Sequence, residues 1–312
     1  MEARTVGGVA VRSGAGRRLR GSGRLAVRIL VTNDDGIDAP GLAALARHAV
    51  EAGHDVFVLA PLQEMSGSGA SMGSLALHHP IEVRPRTIPT LNGVPAHAAA
   101  ATPAACAILG CLGAVGPPPD LVLSGINHGF NVGRSALHSG TVGAAITAAA
   151  WGAKGLAVST AWSEGEVHWE TAASVALAMS GWFMDDDDLR ALNVNVPNTP
   201  RGELRGVRWA TLAPVGAIRS AIVGIEETAD GEGFSVLTDH RSTDPAAAPQ
   251  RSDRALVAGG WVTLTGLGGL AEWIPSGDSL DEQRLAGLLR AQAAPSPDGR
   301  AQAPVEAEEE SQ

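Results

Sequence analysis

From Ala26 onward the chain alternates between short apolar runs and longer stretches whose apolar positions recur with helical spacing. AVRILVT (26–32) reads as a strand, Pro40 to about Ala52 as a helix, and HDVFVLA (54–60) as a second strand. Pro40 stands where a first-turn proline belongs and Gly53 where a helix-closing glycine belongs, so the two strands are predicted to be parallel neighbours. The alternation continues with an Ala-rich helix at about 96–112, strand DLVLS (120–124), helix 140–152, strand GLAVST (155–160), helix 169–184 and strand LNVNV (192–196). Continuous apolar strands separated by helices predict an α/β fold, a doubly wound and mostly parallel sheet with helices on both faces.

Past Arg205 the pattern changes. GVRWATLA, GFSVLTDH and GWVTLTGL are β-rich with no long helix between them, and read as C-terminal β-hairpin extensions able to pair with a second copy. The domain is placed at 26–275. Residues 1–25 read as a disordered extension, and 283–312 as a mostly disordered acidic tail whose end, QAPVEAEEESQ, lacks apolar surface to bury.

Charge narrows the partners. With 33 acidic against 23 basic residues the formal charge is −10, and residues 1–24 hold six Arg against one Glu, so the remainder is more acidic still. That argues against a nucleic-acid polymer and suits a cation-assisted site. Cys106 and Cys111 fit neither a zinc knuckle nor a C-x-x-C pair and read as reduced core residues. No run approaches the roughly 18 apolar residues that a membrane span needs. The expectation is a cytoplasmic protein with no membrane partner.

The strongest chemical signal is V-T-N-D-D-G-I-D (31–38), which puts Asp34 and Asp35 at the carboxyl end of the first strand, the edge where open α/β sheets bind ligands. Successive strand side chains point to opposite faces, so the two can share one cation only if the chain bends, and Gly36 permits that bend. By itself D-D-G also suits a solvated turn. Two more polar, Gly-rich segments follow strands of the same sheet, E-M-S-G-S-G-A-S and S-G-I-N-H-G-F-N-V-G-R, and offer the hard oxygen ligands that Mg²⁺ or Mn²⁺ takes. Ser139, Gly140 and Thr141, in H-S-G-T-V-G-A-A, begin a helix whose free N–H groups form a phosphate cradle.

Through V-T-N-D-D-G-I-D-A-P-G, A-P-x-x-x-x-S-G, S-G-I-N-x-G-x-N-x-G, S-G-T-V-G-A-A and L-N-V-N-V-P, the sequence resembles the SurE-type survival proteins, a family of metal-dependent 5′/3′-nucleotidases. The resemblance covers roughly residues 27–270. It implies a Rossmann-like core with a protruding hairpin, a homodimer or homotetramer, a nucleotide substrate and one divalent ion (Mg²⁺ or Mn²⁺) per subunit, held by Asp34, Asp35, Ser66 and Asn127. It further implies catalysis by Asp34 and Asp35, and substrate binding by Asn33, Gly67, Asn127, Ser139, Gly140 and Thr141. Around the site the chain departs from the family. The usual D-R-N-R is Leu62-Gln63-Glu64-Met65, the usual G-T-P-A-D is Gly93-Val94-Pro95-Ala96-His97, and the tyrosine before S-G-T is His138. The sequence has no tyrosine, so base stacking would use Phe, Trp or His, with Phe130 the nearest candidate.

The resemblance predicts release of phosphate from a nucleoside 5′-monophosphate, and also from a 3′-monophosphate, by water that either Asp34 or Asp35 deprotonates. His128 and His138 are candidate proton donors to the leaving alcohol. An aspartyl-phosphate enzyme would carry D-x-D-x-[T/V], a P-loop enzyme G-x-x-x-x-G-K-[S/T], and a dehydrogenase G-x-G-x-x-G in place of the aspartates. Alternatives that keep the fold are a non-catalytic nucleotide- or metal-binding module and a phosphatase of another ester such as polyphosphate. Trp151, Trp169, Trp182 and Trp261 read as packing residues, and Asp185–Asp188 as a solvated helix cap.

Overall fold

A computed structural model describes residues 18–19, 25–73, 75, 79–216, 218–228, 233–242 and 244–268. The tail expected at 283–312, most of the extension expected at 1–25 and the end of the 26–275 domain lie outside the described residues. Within that extension Arg18–Leu19 (β1) forms a two-residue antiparallel ladder with Leu25–Ala26 (β2).

The centre of the molecule is a nine-stranded sheet. Its first strand in the chain, Arg28–Thr32 (β3), leads through helix Pro40–Glu51 (α1) to Asp55–Pro61 (β4), which pairs with it in parallel. Val83–Arg86 (β5) and Ala96–Ala99 (β6) complete that side, β6 parallel to β4 and β5 antiparallel at the edge. Helix Pro103–Cys111 (α2) carries the chain back across, and Leu121–His128 (β7) joins the other side of β3. Helix Gly140–Ala150 (α3), Lys154–Thr160 (β8), helix Trp169–Asp185 (α4) and Ala191–Val196 (β9) then extend the sheet outward in parallel. The order β6-β4-β3-β7-β8-β9 reverses direction between β3 and β7, and that switch point opens a crevice beyond their carboxyl ends.

The core follows from the two-residue period of a strand buried on both faces. On β3, Ile29 and Val31 face the layer of α1 and α4, where Leu42, Leu45, Ala172 and Ala176 lie, while Leu30 faces the layer of α2 and α3, with Cys106, Ala144 and Ala148. Each fully buried Leu or Ile contributes roughly 1.5–3 kcal/mol. Glycines set the helix-to-sheet distance: a Cβ on Gly110 of α2 would come within 2.5 Å of Leu30 Cδ2. Lys154, the sole lysine, is structural, since its Nζ donates to the carbonyls of Phe183 (2.5 Å) and Asp186 at the end of α4. The Asp186 carboxylate accepts from the Asp188 and Leu189 N–H groups, which is the cap expected of that acidic run.

The structure corrects two readings of the sequence. The helix expected at about 96–112 starts only at Pro103, because Ala96–Ala99 pairs with Val58–Pro61 as β6. Alanine favours helix only weakly, and an open sheet edge outweighs that preference. Thr102 then caps the shortened helix, its Oγ1 accepting from Ala105 N at 3.2 Å. The second correction concerns the hairpins. Among the described residues past Arg205, only Ile218–Glu227 (β11) and Phe234–Ser242 (β12) form an antiparallel hairpin of their own. Val207–Trp209 (β10) and Val262–Leu267 (β13) return to the central sheet, β13 antiparallel on β9 and β10 parallel on β13. Val262, Thr263 and Leu264 are buried there, which a free hairpin could not provide.

Candidate active site

Asn33-Asp34-Asp35-Gly36 leaves the end of β3 at the switch point. Gly36 turns the chain at φ +98°, and Asn33 Nδ2 donates to its carbonyl at 2.9 Å, so the bend that lets both aspartates face one region is closed from within. Asp34 is directed inward at the start of α3. Its Oδ1 accepts from Thr141 Oγ1 at 2.5 Å, and its carboxylate also accepts from the backbone N–H groups of Gly140 and Thr141. The approach depends on Gly140, where a Cβ would stand 2.9 Å from Asp34 Oδ2 and 2.7 Å from Ser68 Oγ. Burial pushes the Asp34 carboxyl above its ordinary range, and the bonds from Thr141 and the helix start partly offset it.

Asp35 is directed outward and is half-buried. The His128 N–H, at the end of β7, donates to it. Its carboxyl is pushed up to about 7, first by desolvation and then by the like charges of Asp34 and Glu64. Among the described residues no ion pair reaches Asp34, Asp35 or Glu64.

The loop after β4 closes the site from one side. Met65 N donates to the Asp34 carbonyl at 2.7 Å, and Ser66 Oγ donates to Glu64 Oε1 at 2.8 Å. Gly69 lies so close under α3 that a Cβ on Gly143 would meet its carbonyl at 2.1 Å. From β7, Asn127 Nδ2 donates to the Gly129 carbonyl at 2.6 Å, which leaves Oδ1 as its free acceptor. The loop that follows is tied down by β9. Asn193 and Asn195, two residues apart and so on one face, donate to the Asn131 carbonyl at 2.8 and 3.1 Å. L-N-V-N-V thus acts on the site at second hand.

The residues present suit a hard divalent cation. Two adjacent carboxylates, with a serine hydroxyl and an amide oxygen on the neighbouring loops, offer hard oxygen donors, and among the described residues no ion pair balances the two carboxylates. Asn33 Oδ1 and Ser68 Oγ, in the same segments, are buried without a hydrogen-bond partner.

The positions expected to bind substrate differ in their exposure and bonding. Asn33 and Thr141 are fully buried behind the aspartates, and Ser139 caps α3, its Oγ accepting from Val142 N at 3.1 Å. The cradle N–H groups of Gly140 and Thr141 are directed at Asp34, because the bend at Gly36 brings a carboxylate to the helix start. Gly67 is exposed and Asn127 half-buried.

Beside Asp35 lies a cleft of about 460 Å³ whose walls include Leu62, Gln63, Glu64, Ile126, His128 and Trp169. Phe130 does not line it, whereas Trp169, read from the sequence as packing, does. Trp169 begins α4 and lies over Gly41 of α1, where a Cβ would come within 2.9 Å of its ring. The only prior signal was an aromatic at a helix start. His128 Nε2 accepts from Ser163 N–H at 3.0 Å, so that nitrogen is not a free proton donor, while His138 is exposed.

The sequence model of the family described as "Survival protein SurE" matches residues 29–216. A protein of Dehalococcoides mccartyi named 5′-nucleotidase SurE is 34% identical over 77% of this chain and 88% of its own length. A Rubrobacter xylanophilus protein of the same name is 36% identical over 79% of this chain and 96% of its own length. Among solved structures, the SurE protein from Aquifex aeolicus superposes with a TM-score of 0.63 at 26% identity, covering 85% of this chain and 99% of that one.

Proposed function

Because this chain belongs to the SurE family of survival proteins, we propose that it is a divalent-metal-dependent phosphomonoesterase that hydrolyses nucleoside 5′-monophosphates, and 3′-monophosphates as well, to nucleoside and phosphate. The observation that carries this reading is the Asp34–Asp35 pair at the switch point, which no ion pair balances among the described residues. The names of the relatives, 5′-nucleotidase SurE, support the substrate class.

Asp34, Asp35, Ser66 Oγ and Asn127 Oδ1 would hold the ion, Mg²⁺ or Mn²⁺. When bound, such an ion neutralises charge on the phosphoryl oxygens and acidifies water. The chain's own residues supply the rest. Asp34 is engaged by Thr141 Oγ1 and two N–H groups of the α3 start, which fix its orientation. Asp35 accepts a single backbone N–H and borders the cleft, so it keeps acceptor capacity on the solvent side and is the carboxylate that takes the proton of the attacking water. Gly67 and the second amide hydrogen of Asn127 face the phosphate. Buried Asn33, Ser139, Gly140 and Thr141 act on it through the carboxylates they orient.

Two further parts of the reading concern assembly and place. Val223, Ile225, Phe234 and Val236 of the β11–β12 hairpin are 45–66% exposed, an apolar surface that supports pairing with a second copy as a homodimer or homotetramer. Light scattering on the eluted protein checks this, and a monomer at micromolar concentration would refute it. Among the described residues no helix is long and apolar enough to cross a membrane, which is compatible with the proposed cytoplasmic location.

The test is phosphate release from nucleoside 5′- and 3′-monophosphates with Mg²⁺, Mn²⁺ or EDTA. Release that needs the metal supports the enzyme. Folded, metal-binding protein that releases phosphate from no ester would make the chain a binding module.

A further inference from the structure

The cleft beside Asp35 has one wall that neither phosphate nor metal chemistry requires. His128 is held on two sides by indoles: its ring stacks on Trp162, centroids 6.1 Å apart and planes at 24°, and meets Trp169 edge-on at 5.4 Å and 67°. The Ser163 N–H on Nε2 fixes its rotation as well. His128 and Trp169 both line the cleft, and the His128 backbone N–H donates to the Asp35 carboxylate. The aromatic wall is therefore one residue removed from the acidic group that faces the phosphate. Trp162, which backs His128, is 63% exposed, far more than a side chain serving only to fill a core.

Resting on the nucleotidase reading, we infer that the His128–Trp162–Trp169 cluster is the nucleobase platform of this enzyme, that it makes nucleotides better substrates than base-free phosphate esters, and that it ranks purine above pyrimidine nucleotides. The wall is rigid before ligand arrives. Trp169 is seated over Gly41 and His128 is braced on both sides, so little side-chain freedom is lost when a base stacks. Stacking on an aromatic face accepts every base but strengthens with ring area, which gives the purine preference. The cleft is also lined by Leu62, Gln63 and Glu64, none of which carries a positive charge, so discrimination falls to the aromatic side.

The experiment compares kcat/KM for AMP, CMP and ribose 5-phosphate in wild type, Trp162→Ala, Trp169→Ala and Trp169→Phe, with thermal melts to confirm folding. Quenching of tryptophan fluorescence by adenosine, which carries no phosphate, is measured alongside. The expected result is AMP preferred over ribose 5-phosphate by on the order of tenfold or more, mainly through KM. The preference should fall severalfold in Trp162→Ala and Trp169→Ala and persist in Trp169→Phe. Trp162 is exposed, so its variant keeps the test usable if Trp169→Ala fails to fold. Equal use of AMP and ribose 5-phosphate by wild type, or a preference unchanged in Trp162→Ala and in folded Trp169→Ala, would overturn the platform while leaving the phosphatase intact. If no ester is hydrolysed, the nucleotidase reading fails by itself. Adenosine quenching that Trp162→Ala weakens would then still support the platform, and its absence would refute it.

Discussion

Asp253, at the start of helix Asp253–Ala258 (α5), and Asp35, at the end of β3, are both acidic side chains drawn away from water, and their surroundings treat them in opposite ways. Asp253 is fully buried and saturated: Oδ2 accepts from Gly133 N at 2.8 Å, and Oδ1 from Ala213 N at 3.0 Å and Arg254 N at 2.7 Å. It pins the segment that leads into Ser139–Thr141. Asp35 receives one backbone N–H and faces two like charges. Desolvation raises both carboxyls, but only around Asp253 is the raising opposed by several donors. The donors around Asp253 occupy its acceptors and tie it into the fold, whereas Asp35 keeps acceptor capacity toward the cleft.

That contrast can be broken by substitution. Asp35→Asn should lower metal-dependent phosphate release by about 10³-fold or more, yet leave the melting temperature of metal-free protein unchanged or higher. A variant that keeps wild-type turnover would remove Asp35 from the mechanism. Asp253→Ala should do the reverse, lowering stability to urea by about 3 kcal/mol because three N–H groups lose their acceptor. A loss below about 0.5 kcal/mol would show that water replaces the carboxylate without cost.

Titration sharpens the comparison. The native Asp35 carboxyl holds its proton up to about 7, well above its ordinary value of 3.8, so between these limits the folded protein binds more protons than the unfolded chain. The contribution of this group to stability is present at low pH and is lost as pH rises through 7. Asp34 and Asp253 are raised too and have the same sign. Metal-free protein should therefore melt higher near pH 5 than near pH 8, and Asp35→Asn or saturating Mg²⁺ should reduce that slope. A slope indifferent to both would place its origin elsewhere.

The smallest effect is expected at Glu64, which is exposed and adds a like charge near Asp35. Glu64→Gln should lower KM for AMP about two- to fivefold at low salt, less at high salt, since the charge is screened. An increase in KM would instead assign Glu64 a favourable role in metal binding.

How much could be read in advance differs from residue to residue. The place of Asp34 and Asp35 at the end of the first strand was legible because a D-D-G turn directly after an apolar strand is a local pattern, while the role expected of them came with the family resemblance. Trp169 was not, since an aromatic at a helix start reads as packing, and its place on the cleft comes from the close contact of α4 with α1 at Gly41. Asp253 was invisible as well, its partner Gly133 being 120 residues away. The strand at Ala96–Ala99 was mistaken for helix because alanine carries little local information.

By itself the sequence determined the alternation of strand and helix, the position of the acidic turn at the end of the first strand, and the family. Each of these depends on neighbouring residues and their periodicity. The tertiary structure alone decided that the start of α3 would be filled by Asp34, that Asp35 would face a cleft walled by His128 and Trp169, and that β10 and β13 would return to the sheet. Those outcomes follow from which distant surfaces meet when both faces of the sheet are covered, and the order of residues along the chain states that only indirectly.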